Sequence, residues 1–558
     1  MMRLRFLAGS GLLVLAGVSG GGCHEAADTV ITGGMVWTGL SSGEAQPGAV
    51  AIKGDRIVLV GDSATVAKHI GSRTEVIDAH GGLVAPGFAD GHTHFIEGGF
   101  QLISVDLRTA ATPAEFVRRI KEFAATLAPG VWILGGDWDH TLWPGQPLPR
   151  HEWIDSITPN NPVFIERLDG HEALANSAAM KAAGVTRSTP TPPGGEVLHD
   201  ARGEPTGIFK DQALDLIGAA IPSPTPAQRD SALARALAYA ASLGVTATGF
   251  MSAGWDDLAS FHRLEQAGRV TLRASLYMLE GWQAVADTVK IKGPGDDWVR
   301  IGGLKGFMDG SAGSRTAYFF DAYTDSAGYF GLLQHPESAM RTWIGGADSA
   351  GLQIAVHAIG DRANAILLAI YDSVAKAHGP RDRRFRVEHA QHLRQEDIAK
   401  FGAQHIVPSM QPYHAIDDGR WVEERIGPER IKTTYAFRTL LDTGAPLAFG
   451  SDWTVATIDP LWGIYAAVTR RTLDGKNPDG WIPEQKIKLS EALRAYTYGN
   501  AWATFNENKW GTLAPGHYAD VVVLDHDLFR MPPESLYTAR VAVTIAGGKV
   551  VYRKAAAK

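Results

Sequence analysis

The chain has 558 residues, 45% of them hydrophobic and 20% charged, a near-average globular composition with room for one large domain and a smaller companion. Its net charge of −7 offers none of the bulk basic character that a phosphate backbone requires, which argues against nucleic acid and for a small-molecule partner. Cys23 is the only cysteine, so no intramolecular disulfide can form and the fold rests on its core and on any bound metal.

Residues 1–23 begin with Arg3 and Arg5, run through apolar Phe6 to Val18 and leave through Gly20, Gly21 and Gly22. A charged start, an apolar run too short to span a bilayer and a small-residue exit make an export signal. The placement of Cys23 resembles a bacterial lipoprotein signal, with Gly20 where leucine is usual. The expectation is an exported protein, periplasmic or anchored to the membrane only through lipid on Cys23.

Residues 27–84 carry short β patterns with a turn at Gly54 and Asp55, and the same texture returns at 518–529 and 541–553. Together they predict a composite β-sandwich domain from 27–84 and 508–556. Between them, over 85–507, apolar β-branched runs alternate with helical patterns, the signature of parallel strands joined by crossover helices. The runs at 83–90, 244–250, 272–279, 303–309, 352–358, 385–390, 405–412 and 445–452 number eight, which closes a (β/α)8 TIM-like barrel of α/β class. Between the first two lie roughly 150 residues, too many for an ordinary connection. This stretch predicts an inserted α/β subdomain over about 98–235.

In GFADGHTHF (87–95), His92 and His94 flank Thr93, so in extended backbone both imidazoles point the same way and can share a divalent cation. Such a pair alone also fits two surface histidines. Lys305, His357, His389 and Asp452 add weight because each lies in or at the end of another predicted strand, and barrel strands present those ends to one face. Asp90 and Glu388, beside the histidines, are candidate carboxylate partners for them. GSAGS (310–314) lacks the lysine of a phosphate loop, and no GxSxG elbow is present.

These segments, with LKGFMDGSAGSRTA (304–317), VHAIGDRA (356–363), RVEHAQ (386–391), QPYHAID (411–417), LAFGSDWTV (447–455), YGNAWATF (498–505) and GTLAPGHYADVVVLD (511–525), resemble the amidohydrolase superfamily, in particular its YtcJ-like branch, over roughly residues 28–553. The resemblance implies one or two divalent ions, zinc foremost. His92 and His94 would bind one ion and His357 and His389 the second, Lys305 would bridge them as a carbamate, and Asp452 would touch metal and bridging hydroxide. It implies attack of a metal-bound hydroxide on a C–N bond of an amide, N-substituted formamide or cyclic amide, with Asp452 relaying the proton. Hydrolytic deamination or ester cleavage in the same pocket is the alternative, and a catalytically silent exported binding protein is the alternative from another class. Trp138 and His171 in the insertion, Asp309 and Arg315 after the lysine strand, and His414 are candidate substrate contacts, for which packing, capping or loop ion pairs are equally good explanations.

Overall fold

The structure, a computed structural model, describes residues 25–555 except 42, 141, 142, 168–171, 193, 194 and 314. The export signal with Cys23, and His171, lie outside the described residues. Among the described residues no helix is long and apolar enough to cross a membrane.

Eight parallel strands hydrogen-bond in sequence order: β1 Phe88–Thr93, β2 Val245–Ala253, β3 Arg273–Met278, β4 Val299–Phe307, β5 Ile354–Ala358, β6 Arg386–His389, β7 Val407–Met410 and β8 Ala448–Phe449. Helices cover the outside, so β1, β3, β6 and β7 are buried at every residue. Such strands are ordinarily apolar throughout. The polar residues they and their neighbours carry, His92, Lys305, Arg386, Glu388, His389 and Ser409, therefore mark the interior that performs chemistry.

The predicted first run, 83–90, divides at Gly87. Leu83–Pro86 belongs to the terminal sheet, and the barrel begins at Phe88. The division has a steric cause: a Cβ at Gly87 would sit 2.2 Å from Thr246 Oγ1, and Gly87 N donates across to Asp520 O at 2.9 Å. The predicted run 445–452 shortens to two residues at the seam between β8 and β1. There the ladder gives way to Asp452 N donating to His92 O (2.7 Å) and His94 N to Trp453 O (2.6 Å). Asn500 Nδ2 spans the seam, donating to Ala89 O (2.7 Å) and Phe449 O (2.8 Å).

Strands from both termini form one hydrogen-bonded sheet, in the order Lys549–Arg553, Val541–Ala546, Val521–Leu524, Leu83–Pro86, Thr29–Val36, Gln46–Lys53 and Arg56–Gly61, with Glu75–Asp78 pairing to Thr29–Val36. Both terminal segments share one core, with Ile31, Val50 and Ile57 packed with Val521, Val523 and Ile545. Leu83–Pro86 joins the halves, running antiparallel to Val521–Leu524 and parallel to the end of Thr29–Val36. Buried Arg273, the first residue of β3, clamps this sheet to the barrel through Asp520, with Nε to Oδ2 at 2.7 Å.

After β1 comes a six-stranded α/β unit between Val105 and Asp211 with its own core. Its helix Pro113–Ala124 starts where Thr112 accepts from Glu115 N and Pro113 occupies the first turn, and it buries Phe116 and Ile120. Trp138 lies in the same core, wholly buried, its indole N–H donating to Ile165 O at 2.9 Å.

Asn500→Ala leaves buried carbonyls of β1 and β8 without a donor. It is expected to lower stability by about 2 kcal/mol or more in urea denaturation, with an unchanged m-value.

Candidate metal centre

At the C-terminal ends of the strands the six predicted ligands meet. His92 lies on β1 and His94 begins the following helix, Lys305 lies on β4, His357 on β5, His389 ends β6 and Asp452 follows β8. Donor atoms of buried His92, His389 and Asp452 all lie within 4.8 Å of one another. Asp452 Oδ1 is 3.4 Å from His92 Nε2 and 3.2 Å from His94 Nε2, and Lys305 Nζ is 3.3 Å from His92 Nε2. The rings of His357 and His389 are 4.5 Å apart between centroids.

Each buried imidazole has one nitrogen held from behind. His92 Nδ1 donates to Glu388 Oε2 at 2.7 Å, His389 Nδ1 to Gln411 Oε1 at 2.8 Å, and His357 Nε2 to Gly310 O at 3.1 Å. The acceptors on those nitrogens fix the tautomers, leaving lone pairs on the opposite nitrogens. Glu388 in turn accepts from Arg386 Nε at 2.7 Å. Asp90, the other candidate partner, does not reach an imidazole. Its Oδ1 accepts the backbone amides of His92 (3.1 Å) and Ser451 (2.9 Å), so it shapes the backbone beneath the site.

The electrostatics follow from burial. Burial and then neighbouring Lys305 push His92 down to about 4 and His357 down to about 3, while burial and then His357 hold His389 well below the ordinary value. All three are neutral at pH 7, the form that ligates. Burial lowers Lys305 to about 8, against the pull of Glu388 and Asp452. Asp452 Oδ1 is buried yet has no hydrogen-bond partner. A carboxylate oxygen facing the Nε2 lone pair of His92 is repulsive unless positive charge lies between them, and that donor set fits a divalent cation. Backbone strain supports the aim of two ligands, with φ at +73° for His389 and +58° for Asp452.

Three candidate substrate contacts have partners within the fold. Trp138 is sealed in the insertion core. Asp309, wholly buried, accepts the amides of Tyr318 (2.8 Å), Ile359 (3.0 Å) and Gly360 (2.8 Å) and so ties the loops after β4 and β5 together. Arg315 pairs with Asp325 at 2.8 Å. His414 does lie at the rim, on the helix Pro412–Asp418 that follows β7. Sequence reasoning missed Arg386 and Gln411. Their signal was a charged or amide residue on or just after a fully buried strand.

The amidohydrolase family matches residues 75–552. The chain belongs to that family. It is 39% identical to the protein Long After Far-Red 3 of Arabidopsis thaliana over 94% of this chain and 92% of that one. To the amidohydrolase YtcJ of Bacillus subtilis it is 31% identical, covering 94% and 99%, which places it in the YtcJ-like branch. An N-substituted formamide deformylase of Arthrobacter pascens is 28% identical over 91% of this chain and 95% of its own. Among solved structures, a metal-dependent hydrolase from Pyrococcus horikoshii superposes with a TM-score of 0.75 at 28% identity, over 91% of this chain and 98% of that one. This amidohydrolase is accordingly a metal-dependent hydrolase of carbon–nitrogen bonds on a TIM-like barrel.

Two outcomes test the centre. Imidazoles with pKa near 3 to 4 charge only below that pH, so histidine-selective 15N NMR of the metal-free protein should show His92 and His357 neutral at pH 5.5, where an ordinary histidine is mostly charged. Glu388→Gln, which weakens the hold on His92, should lower zinc affinity about 10- to 100-fold in a competitive chelator titration.

Proposed function

We propose that this amidohydrolase cleaves small N-substituted amides, including N-substituted formamides and cyclic amides, with His92, His94, Lys305, His357, His389 and Asp452 holding one or two divalent ions, zinc foremost. The observation that carries the reading is the partnerless Asp452 Oδ1, buried within 3.4 Å of two imidazole nitrogens. The Arthrobacter pascens relative, a deformylase of N-substituted formamides, supports that substrate class.

When bound, the cation polarises the substrate carbonyl and brings the pKa of a water down toward about 7. The chain does the rest. Ionised Asp452 takes the proton of the attacking water at Oδ1 and returns it to the departing nitrogen, so that the C–N bond breaks to a carboxylic acid and a neutral amine. Arg386 and Glu388 keep His92 in one tautomer throughout. Lys305 is buried and makes no ion pair among the described residues, an environment that favours the neutral amine. Its nitrogen adds carbon dioxide with loss of one proton, giving an anionic carbamate that can hold metal.

Asp452→Asn should lower kcat/KM on an N-alkylformamide by about a thousandfold or more with the circular dichroism spectrum intact. Near-normal rates would remove Asp452 from the reaction. Lys305→Ala should lose activity that millimolar short-chain carboxylic acid partly restores; no restoration would argue against a carbamate.

A further inference from the structure

Beside the metal centre, the ends of β6 and β7 present a second cluster of titratable side chains. Gln391 lies two residues past His389, and Gln411, which holds His389, precedes the helix Pro412–Asp418. Four residues apart on that helix, His414 and Asp418 share a face. Asp418 Oδ2 accepts from Gln391 Nε2 at 2.8 Å and from the Tyr435 hydroxyl at 2.5 Å. Its Oδ1 accepts no hydrogen bond among the described residues, and His414 Nε2 is buried with no partner. Burial pushes the Asp418 carboxyl up, partly offset by His414.

Trp421, just beyond this helix, reaches across the mouth to the loop after β4, where a Cβ at Gly313 would meet its ring at 3.7 Å. Gly310 of the same loop holds His357. Asp418, His414 and Trp421 thus border the rim above His357 and His389. The wall is held in place: Thr324 N donates to Arg425 O at 2.8 Å, and Arg430 donates to the carbonyls of Asp321 (3.0 Å) and Ala322 (2.9 Å).

We infer that Asp418 Oδ1, with His414 beside it on the same helix face, binds a protonated amine on the nitrogen substituent of the substrate. The inference rests on the amide-hydrolase reading and narrows its substrate class to amides of amino-alkyl amines. Two donors already fixed on Oδ2 favour the ionised carboxylate and aim the free oxygen. An apolar substituent would strand the free carboxylate oxygen away from water, which is how a polar site rejects an isostere.

The test uses the zinc-loaded full chain and two formamides of equal length, N-(4-aminobutyl)formamide and N-pentylformamide. The kcat/KM ratio should favour the amine-bearing compound by about tenfold or more. Asp418→Asn should bring that ratio to about one, and Asp418→Glu should keep a preference. A wild-type ratio near one, or an Asp418→Asn enzyme with both rates lowered alike and the ratio intact, overturns the inference, since a merely structural carboxylate would act so. Calorimetric binding separates this from the reaction assignment. If neither formamide is cleaved but the amine-bearing one binds tighter and Asp418→Asn abolishes the difference, the amide reaction falls and the amine site stands. Equal binding of the two overturns the amine site.

Discussion

The buried ion pair between Arg386 and Glu388 is the interaction on which the rest of the centre depends. The two residues alternate on β6, so both project into the barrel interior, and neither exposes any side-chain surface. Arg386 also donates to Gly91 O (2.8 Å), Tyr277 Oη (3.1 Å) and Ser409 Oγ (2.9 Å), reaching β1, β3 and β7 from a single side chain. Glu388 passes the negative charge on to His92. Burial alone would push the Glu388 carboxyl up, but Arg386 and His92 hold it well below the usual range. Removing one partner of such a pair strands a charge in the interior, a cost of about 3–5 kcal/mol. Tautomer, strand register and ligand geometry therefore share one electrostatic origin.

The seam where the barrel closes is the complementary constraint. β8 is too short to build a ladder with β1, and the closure runs instead through backbone bonds of His92, His94, Asp452 and Trp453, which are the proposed ligands or their neighbours. Barrel closure thus runs through residues proposed to hold metal. The left-handed backbone at Asp452 and His389 is held by this closure and by the strands packed around it.

The barrel and the polar positions that converge at its end were legible because burial on both faces makes each strand an apolar run, and a histidine, lysine or aspartate at its end interrupts the run. Strand limits were less so. The first predicted run divides at Gly87, where Thr246, distant in sequence, leaves no room for a Cβ. Trp138, Asp309 and Arg315 were plausible substrate contacts by type and position, but their partners Ile165, Ile359, Gly360 and Asp325 claim them. Asp90 and Glu388 were equal candidates for the second layer, and only register across the barrel separates them.

By itself the sequence determined the α/β barrel, the order of its strands and the six polar positions that converge at one end of it, because local periodicity and residue type carry that information. Tertiary structure decided which imidazole nitrogen stays free, which carboxylate backs His92, where the terminal strands join into one sheet, and which rim residues keep unsatisfied polar atoms. Each of those depends on contacts between residues tens to hundreds of positions apart, and the partner that satisfies a buried polar atom is set by packing rather than by its neighbours in the chain.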